Sequence, residues 1–229
     1  EVVKGVKLLL KNKGVFIIEV PYLIDFLNKN LFDTVYHEHL SYWSVSTLKN
    51  FFDKSQMIIF DVQKVPTHGG SLRVFVQKKA GQNKVTINVA QFLKKENSAN
   101  LHKITTYQKF AQKINKNKID LLTLLTKFKL AGKTIAGYGA PGKGNTLLNY
   151  FSIGPELIDY IIDDSHQKQG LYTTGKRIPV VSADRLYKKR PDYLLIIAWN
   201  FAEVIMQKHE KFKKMGGKFI IPVPVPKII

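Results

Sequence analysis

From Lys133 onward short apolar runs alternate with amphipathic stretches, and that alternation restricts the fold more than any other feature of the chain. Runs near 134–138, 158–163, 178–181, 193–198 and 218–222 predict strands, and stretches near 142–152, 182–189 and 201–214 predict helices. Strands and helices taken in turn build a mostly parallel sheet with helices over its faces. Upstream, residues 2–12 read as an amphipathic helix stopped by Gly14, and Val15 to Val20 as a buried strand. Short helices follow at 22–27 and 46–54, the second with Ser44 or Ser46 as N-cap. Strands at 57–64 and 71–79, joined by Pro66-Thr67-His68-Gly69-Gly70, have a spacing that suits an antiparallel pair. Residues 89–130 read as helical, with Leu101, Ile104, Tyr107, Ala111 and Ile114 on one face, and Gly132 ends the run. The fold class is therefore α/β, with a partial sheet in 1–82, a helical connection in 83–132 and a complete parallel-sheet body in 133–229. Three strands with so few helices predict that the apolar faces of 15–20, 57–62 and 72–76 lack cover.

The strand at 134–136 runs into Gly137-Tyr138-Gly139-Ala140-Pro141-Gly142-Lys143-Gly144-Asn145, which opens a helix. Glycines there permit a tight turn and close backbone approach, and N–H groups at a helix start attract an anion. Lys143 adds a positive charge. Asp163-Asp164 ends the next strand, where dinucleotide-binding folds keep a ribose-binding acid. Trp199-Asn200 ends another strand and is placed to line the same crevice. The turn reads either as a nucleotide-like site or as packing between helix and strand.

Tyr36-His37-Glu38-His39 places a phenol, two imidazoles and a carboxylate in four residues, with His68 as a third histidine nearby in sequence. An imidazole titrates near neutrality and can take a proton from an activated carbon, with a carboxylate to orient it and a phenol to stabilise an enolate oxygen. In an extended segment His37 and His39 would share one side and Tyr36 and Glu38 the other. His-x-His with one later histidine is not a specific metal pattern, so no metal site is assigned. A purely structural use, with these side chains capping backbone groups under Tyr42 and Trp43, stays open.

The chain has 229 residues, 45% of them hydrophobic, and no cysteine, which excludes disulfides and thiolate zinc sites within it. No apolar run reaches the roughly 18–20 residues of a membrane span, and a soluble cytoplasmic protein is expected. The net charge of +19 would suit anionic ligands or nucleic acid. Residues 94–133 carry ten lysines against Glu96 and Asp120, but interleaved with an apolar helical pattern, as on a solvated helix face.

Six runs, taken in order, resemble the C-methyltransferases of deoxysugar biosynthesis: Phe32 to Tyr42, His68 to Arg73, Gly137 to Asn145, Lys168-Gln169-Gly170, Ala198-Trp199-Asn200 and Gly216 to Ile220. The resemblance implies a cysteine-rich zinc domain, a central methyltransferase domain and a C-terminal Rossmann-like domain. Residues 1–82 would be the last part of the central domain, and 133–229 the C-terminal one. It further implies methylation of a nucleotide-linked 3-keto sugar by S-adenosylmethionine, with most of the donor site outside this chain. His39 would be the base, Glu38 its orienting group, and Tyr36 and His37 would hold the sugar and its enolate. His68, Ser71, Gly137, Gly139, Gly142, Lys143, Asn145 and Asn200 would bind the substrate, the glycine turn taking its diphosphate. Two departures touch substrate contacts: Thr173-Thr174-Gly175-Lys176-Arg177 replaces the usual Thr-Pro-Gly-Thr-His, and Asp164 stands where arginine is common. Two other readings remain, a dinucleotide-binding oxidoreductase, which leaves Tyr36 to His39 without a role, and a basic nucleic-acid-binding protein, which lacks a recognisable module.

Overall fold

A computed structural model describes the backbone of all 229 residues and every side chain except that of His68. The chain forms two compact units, one of residues 1–29 and 41–110, the other of residues 30–40 and 111–229. The short segment 30–40 thus leaves the first unit and belongs to the second.

The first unit contains α1 (Val2–Leu9), β1 (Phe16–Pro21), α2 (Leu23–Asn28), α3 (Val45–Lys54), β2 (Met57–Val65), β3 (Ser71–Lys78) and α4 (Ile87–Ser98). Its sheet has the order β1-β3-β2 and is antiparallel throughout, with a register shift in β2 between Ile59 and Asp61. Leu72, Val74 and Val76 alternate along β3 and point into a core with Phe52, Met57 and Val62. Leu48 and Phe52 of α3, Val89, Phe92 and Leu93 of α4, and Val3 and Val6 of α1 close that core. The expected lack of cover is corrected for one face: these helices bury Leu72, Val74 and Val76 and partly cover Phe16, Ile18 and Val20, whereas Ile17 on the other face stays exposed. Ser44 is the N-cap of α3, exchanging hydrogen bonds with Thr47 in a capping box. Glu96 of α4, itself buried, accepts from the N–H groups of Val45 and Ser46 at 2.6 and 2.8 Å. That carboxylate satisfies two donors at the start of α3 and ties α4 to it.

The long helix α5 (Ile104–Leu130) begins in the first unit and runs into the second. It is separated from α4 by residues 99–103, where Asn100 takes a positive φ of 52°. The expected continuous helix breaks there, since a left-handed residue ends the α-helical ladder.

The second unit continues with β4 (Ile135–Tyr138), α6 (Gly142–Phe151), β5 (Ile161–Ile162), β6 (Val180–Val181), α7 (Arg185–Lys188), β7 (Tyr193–Ile196), α8 (Ala202–Lys208), α9 (Glu210–Lys214), β8 (Lys218–Ile221) and β9 (Lys227–Ile228). The sheet order is β6-β5-β4-β7-β8-β9, parallel except for the terminal β9. Chain order runs outward from β4 in both directions, so β4 and β7 meet at a topological switch point. Ala136, Leu194, Ile196, Phe212 and Phe219 fill a core on this sheet. The protein is thus a mixed α/β chain with a mostly parallel six-stranded sheet. Among the described residues no helix is long and apolar enough to cross a membrane.

Candidate functional site

The carboxyl ends of β4 and β7 are where open α/β sheets hold ligands. Here that position is framed by the glycine turn after β4 and by the short 3-10 turn Trp199–Phe201 after β7. Gly139 has φ +86°, a conformation that favours glycine, and a Cβ there would lie 2.6 Å from the Cβ of Ala198. Gly137 faces Ile161 and Ile197 just as closely, so both glycines serve the packing of strand, helix and turn. Their N–H groups donate to the carbonyls of Tyr160 and Ile162, and Ala140 N–H donates to Asp163 Oδ2 at 2.7 Å. Asp163 Oδ1 accepts from Ser165 N–H. The acid that a dinucleotide reading assigns to a ribose therefore holds the turn closed from within, with both oxygens engaged. Asp164 accepts from the Tyr138 hydroxyl at 2.9 Å and pairs with Lys208 at 2.7 Å.

Onto this turn the second unit seats residues 30–40. Phe32 stacks on Phe151 of α6, with ring centroids 4.9 Å apart and planes 17° apart. Asp33 is fully buried, and its Oδ2 accepts from Trp199 Nε1 at 2.6 Å. The Lys143 ammonium lies 3.8 Å from the same oxygen and 4.3 Å from the Trp199 ring centroid. Burial pushes the Asp33 carboxyl up, against the opposing pull of Lys143 and Trp199. Burial likewise pushes Lys143 down, against the attraction of Asp33. Lys143 was expected to offer its charge to a diphosphate; instead that charge faces Asp33 and the indole ring.

Tyr36 follows with its ring at the start of α6, so that a Cβ on Gly142 would lie 3.5 Å from Tyr36 Cε2. Residues 36–39 form a turn closed by His39 N–H donating to Tyr36 C=O at 2.9 Å. The expected extended segment, with its two-sided arrangement, is corrected: a turn gathers the rings. Tyr36 lies 4.7 Å from His39 and 5.6 Å from His37, centroid to centroid, and its hydroxyl donates to Glu38 Oε2 at 3.1 Å. His39 Nδ1 is 2.9 Å from the carbonyl oxygen of Thr34. A carbonyl only accepts, so Nδ1 carries the proton and Nε2 is left with its lone pair in the neutral ring. His37 and Glu38 are exposed and 4.0 Å apart, a pair that solvent screens.

Among the expected site residues, Tyr36, His37, Glu38, His39, Gly137, Gly139, Gly142, Lys143, Asn145 and Asn200 all lie in the second unit. Asn145 is half-buried in the first turn of α6, and Asn200 is exposed beside Trp199. Ser71 belongs to the first unit, where its buried hydroxyl donates to the Thr67 carbonyl. The side chain of His68 lies outside the described residues. Asp33 and the Thr34 carbonyl carry structural parts that sequence reasoning did not assign. The available signal was one acid held between Phe32 and Thr34 in an otherwise apolar stretch. No group of three or more His, Asp or Glu side chains among the described residues is arranged to hold a metal ion.

A methyl donor of adenosyl type needs a cradle that these residues do not form. The first unit has an antiparallel sheet without a switch point, and the space above its Gly70 is filled by the Asp25 side chain. In the second unit the acid beside the glycine turn is engaged by Ala140 and Ser165.

Residues 66–224 match the family described as the C-methyltransferase C-terminal domain. Over all 229 residues the chain is 38% identical to C-methyltransferase NovU of Streptomyces niveus, covering 54% of that protein. The chain therefore spans about half the length of this curated relative. With a family match over most of its length and this identity from end to end, the chain belongs to the C-methyltransferases.

Proposed function

We propose that this chain supplies the proton-abstracting turn and the substrate-facing α/β unit of an S-adenosylmethionine-dependent C-methyltransferase acting on a nucleotide-linked keto-deoxysugar. The observation that carries this is the bond from His39 Nδ1–H to the Thr34 carbonyl. It leaves Nε2 as the basic atom of an imidazole whose ring lies 4.7 Å from that of Tyr36, centroid to centroid. His39 Nε2 takes the proton alpha to the ketone, and the C–H electron pair becomes the enolate. Tyr36 and His37 hold the sugar, and the phenol turns its single O–H from Glu38 to the enolate oxygen as charge grows there. Glu38, hydrogen-bonded to the Tyr36 hydroxyl, tunes that phenol as well as the imidazole. The N–H groups of Gly142 and Lys143, which have no intrahelical acceptor, and Asn145 receive the diphosphate. Asn200, exposed beside Trp199, adds a further substrate contact. S-adenosylmethionine supplies the methyl electrophile, and its site lies mostly in residues other than these 229.

The test is His39→Asn in the full-length protein, assayed for methyl transfer to a nucleotide-linked 3-keto sugar. The rate is expected to fall by about 10²–10⁴-fold, as loss of a general base does, while nucleotide affinity is kept. A variant that retains more than about a tenth of the rate removes His39 as the base.

A further inference from the structure

Residues 30–36 occupy the place at the ends of β4 and β7 where an α/β sheet ordinarily binds a ligand, and they do so with a ligand's chemistry. A carboxylate, that of Asp33, meets an ammonium and an indole N–H, those of Lys143 and Trp199. The contact is shielded from bulk solvent: Asp33 is fully buried and the Lys143 side chain is 16% exposed. Around it Phe32 stacks on Phe151, and the Thr146 hydroxyl lies within hydrogen-bond reach of the Val35 carbonyl. Asn30 Nδ2 reaches the carbonyl of Pro224 at 3.5 Å. Asp33 is one residue from the carbonyl that fixes the His39 tautomer and three from Tyr36.

We infer that Asp33, Lys143 and Trp199 form a positioning clamp: they lock residues 32–36 onto the glycine turn, so that the second unit sets the direction in which His39 Nε2 points. In this arrangement the Lys143 ammonium is a partner of Asp33 rather than a ligand of the substrate's phosphates. Burial makes the pair sensitive to loss of either member, because the remaining charge is left without its counterpart in a site of low polarity. The indole contributes twice, as a donor to the carboxylate and as a π face for the ammonium. Misplacing a reacting group by about 1 Å can cost on the order of 10²-fold in rate, which is what the clamp prevents.

The inference rests on the reading of His39 as the base, and the experiment separates the two. In the full-length protein, Asp33→Asn, Lys143→Met and Lys143→Arg are compared by amide hydrogen exchange, by kcat and KM for the nucleotide sugar, and by affinity for inorganic pyrophosphate. Asp33→Asn keeps shape and an acceptor for Trp199, so it carries the test if Lys143→Met does not fold. Expected for Lys143→Met and Asp33→Asn is exchange at least about tenfold faster in residues 32–40, with β4 and β7 unchanged. kcat should drop by about ten- to a hundredfold, while KM and pyrophosphate affinity stay within about threefold. Lys143→Arg, which keeps the charge, should recover part of both effects. Unchanged exchange in 32–40 together with a tenfold loss of pyrophosphate affinity would overturn the clamp and make Lys143 a phosphate ligand. Should the wild-type protein methylate no nucleotide sugar, the proposed function fails, and the exchange measurement still decides the clamp.

Discussion

His209 lies buried between two phenols, with Nε2 at 2.9 Å from the Tyr138 hydroxyl and Nδ1 at 3.0 Å from that of Tyr187. The Tyr138 proton goes to Asp164, so Nε2 donates to Tyr138 and Nδ1 accepts from Tyr187. Burial, and then the Lys208 charge, push this imidazole below its ordinary value, against the weaker pull of Asp164. The unfolded chain therefore binds the proton more readily, and stability is lost as pH falls through the ordinary histidine value near 6.5 toward the depressed one. Urea midpoints measured from pH 8 to pH 5 should decline across that interval, and His209→Gln should flatten the decline. A parallel decline in the variant would assign it to another group. Gly139 makes a second case at this scale. A valine there meets Ala198 and a positive φ, so Gly139→Val should destabilise the protein by about 2–5 kcal/mol. Gly142→Ala, whose new methyl reaches only van der Waals contact with Tyr36, should fold normally. Denaturation curves of the two variants check this contrast, and equal midpoints would show that the turn yields at Gly139.

At the scale of elements, α3 and α4 depend on one carboxylate. Glu96 satisfies the first two N–H groups of α3, and removing it leaves both donors without a partner in a largely buried place. Glu96→Ala should cost about 3 kcal/mol, and Glu96→Gln, which keeps one acceptor, about half of that. Chemical denaturation measures both, and a loss under about 1 kcal/mol in the alanine variant would mean that water replaces the carboxylate. The outcome matters for the sheet as well, because α3 and α4 are the cover of β3's inward row, Leu72, Val74 and Val76. Elements were legible where an apolar run or a helical repeat marked them: β2, β3, α6 and strands β4 to β8 fall on the runs read from the sequence. The break at residues 99–103 was hidden because Leu101 continues the apolar pattern while Asn100 turns left-handed. β9 was hidden because Lys227-Ile228 follows the proline-rich Pro222-Val223-Pro224-Val225-Pro226, which does not read as a strand, and is defined only by its pairing with β8.

For the whole molecule, the described residues of either unit form no adenosyl cradle, and the consequence is direct. Residues 1–229 alone, titrated with S-adenosylmethionine at micromolar concentration, should give no binding heat and no methyl transfer. Tight binding by this chain would relocate the donor site into one of the two units. Family and fold class were available from local patterns, since Tyr36-His37-Glu38-His39, the glycine turn and strand–helix alternation are short-range signals written in consecutive residues. The convergence of residues 30–40 with the glycine turn was not, because about a hundred residues separate Asp33 from Lys143 and more still from Trp199. A single sequence carries chemistry but not distance: it showed a lysine suited to phosphate and an aspartate without an evident task. Only the folded chain brings that aspartate to the lysine, because burying a lone charge of either kind is too costly and pairing them beneath an indole relieves it. The same holds for Asp163, whose position suited a ribose until tertiary structure turned both its oxygens onto the backbone of the turn and its own loop.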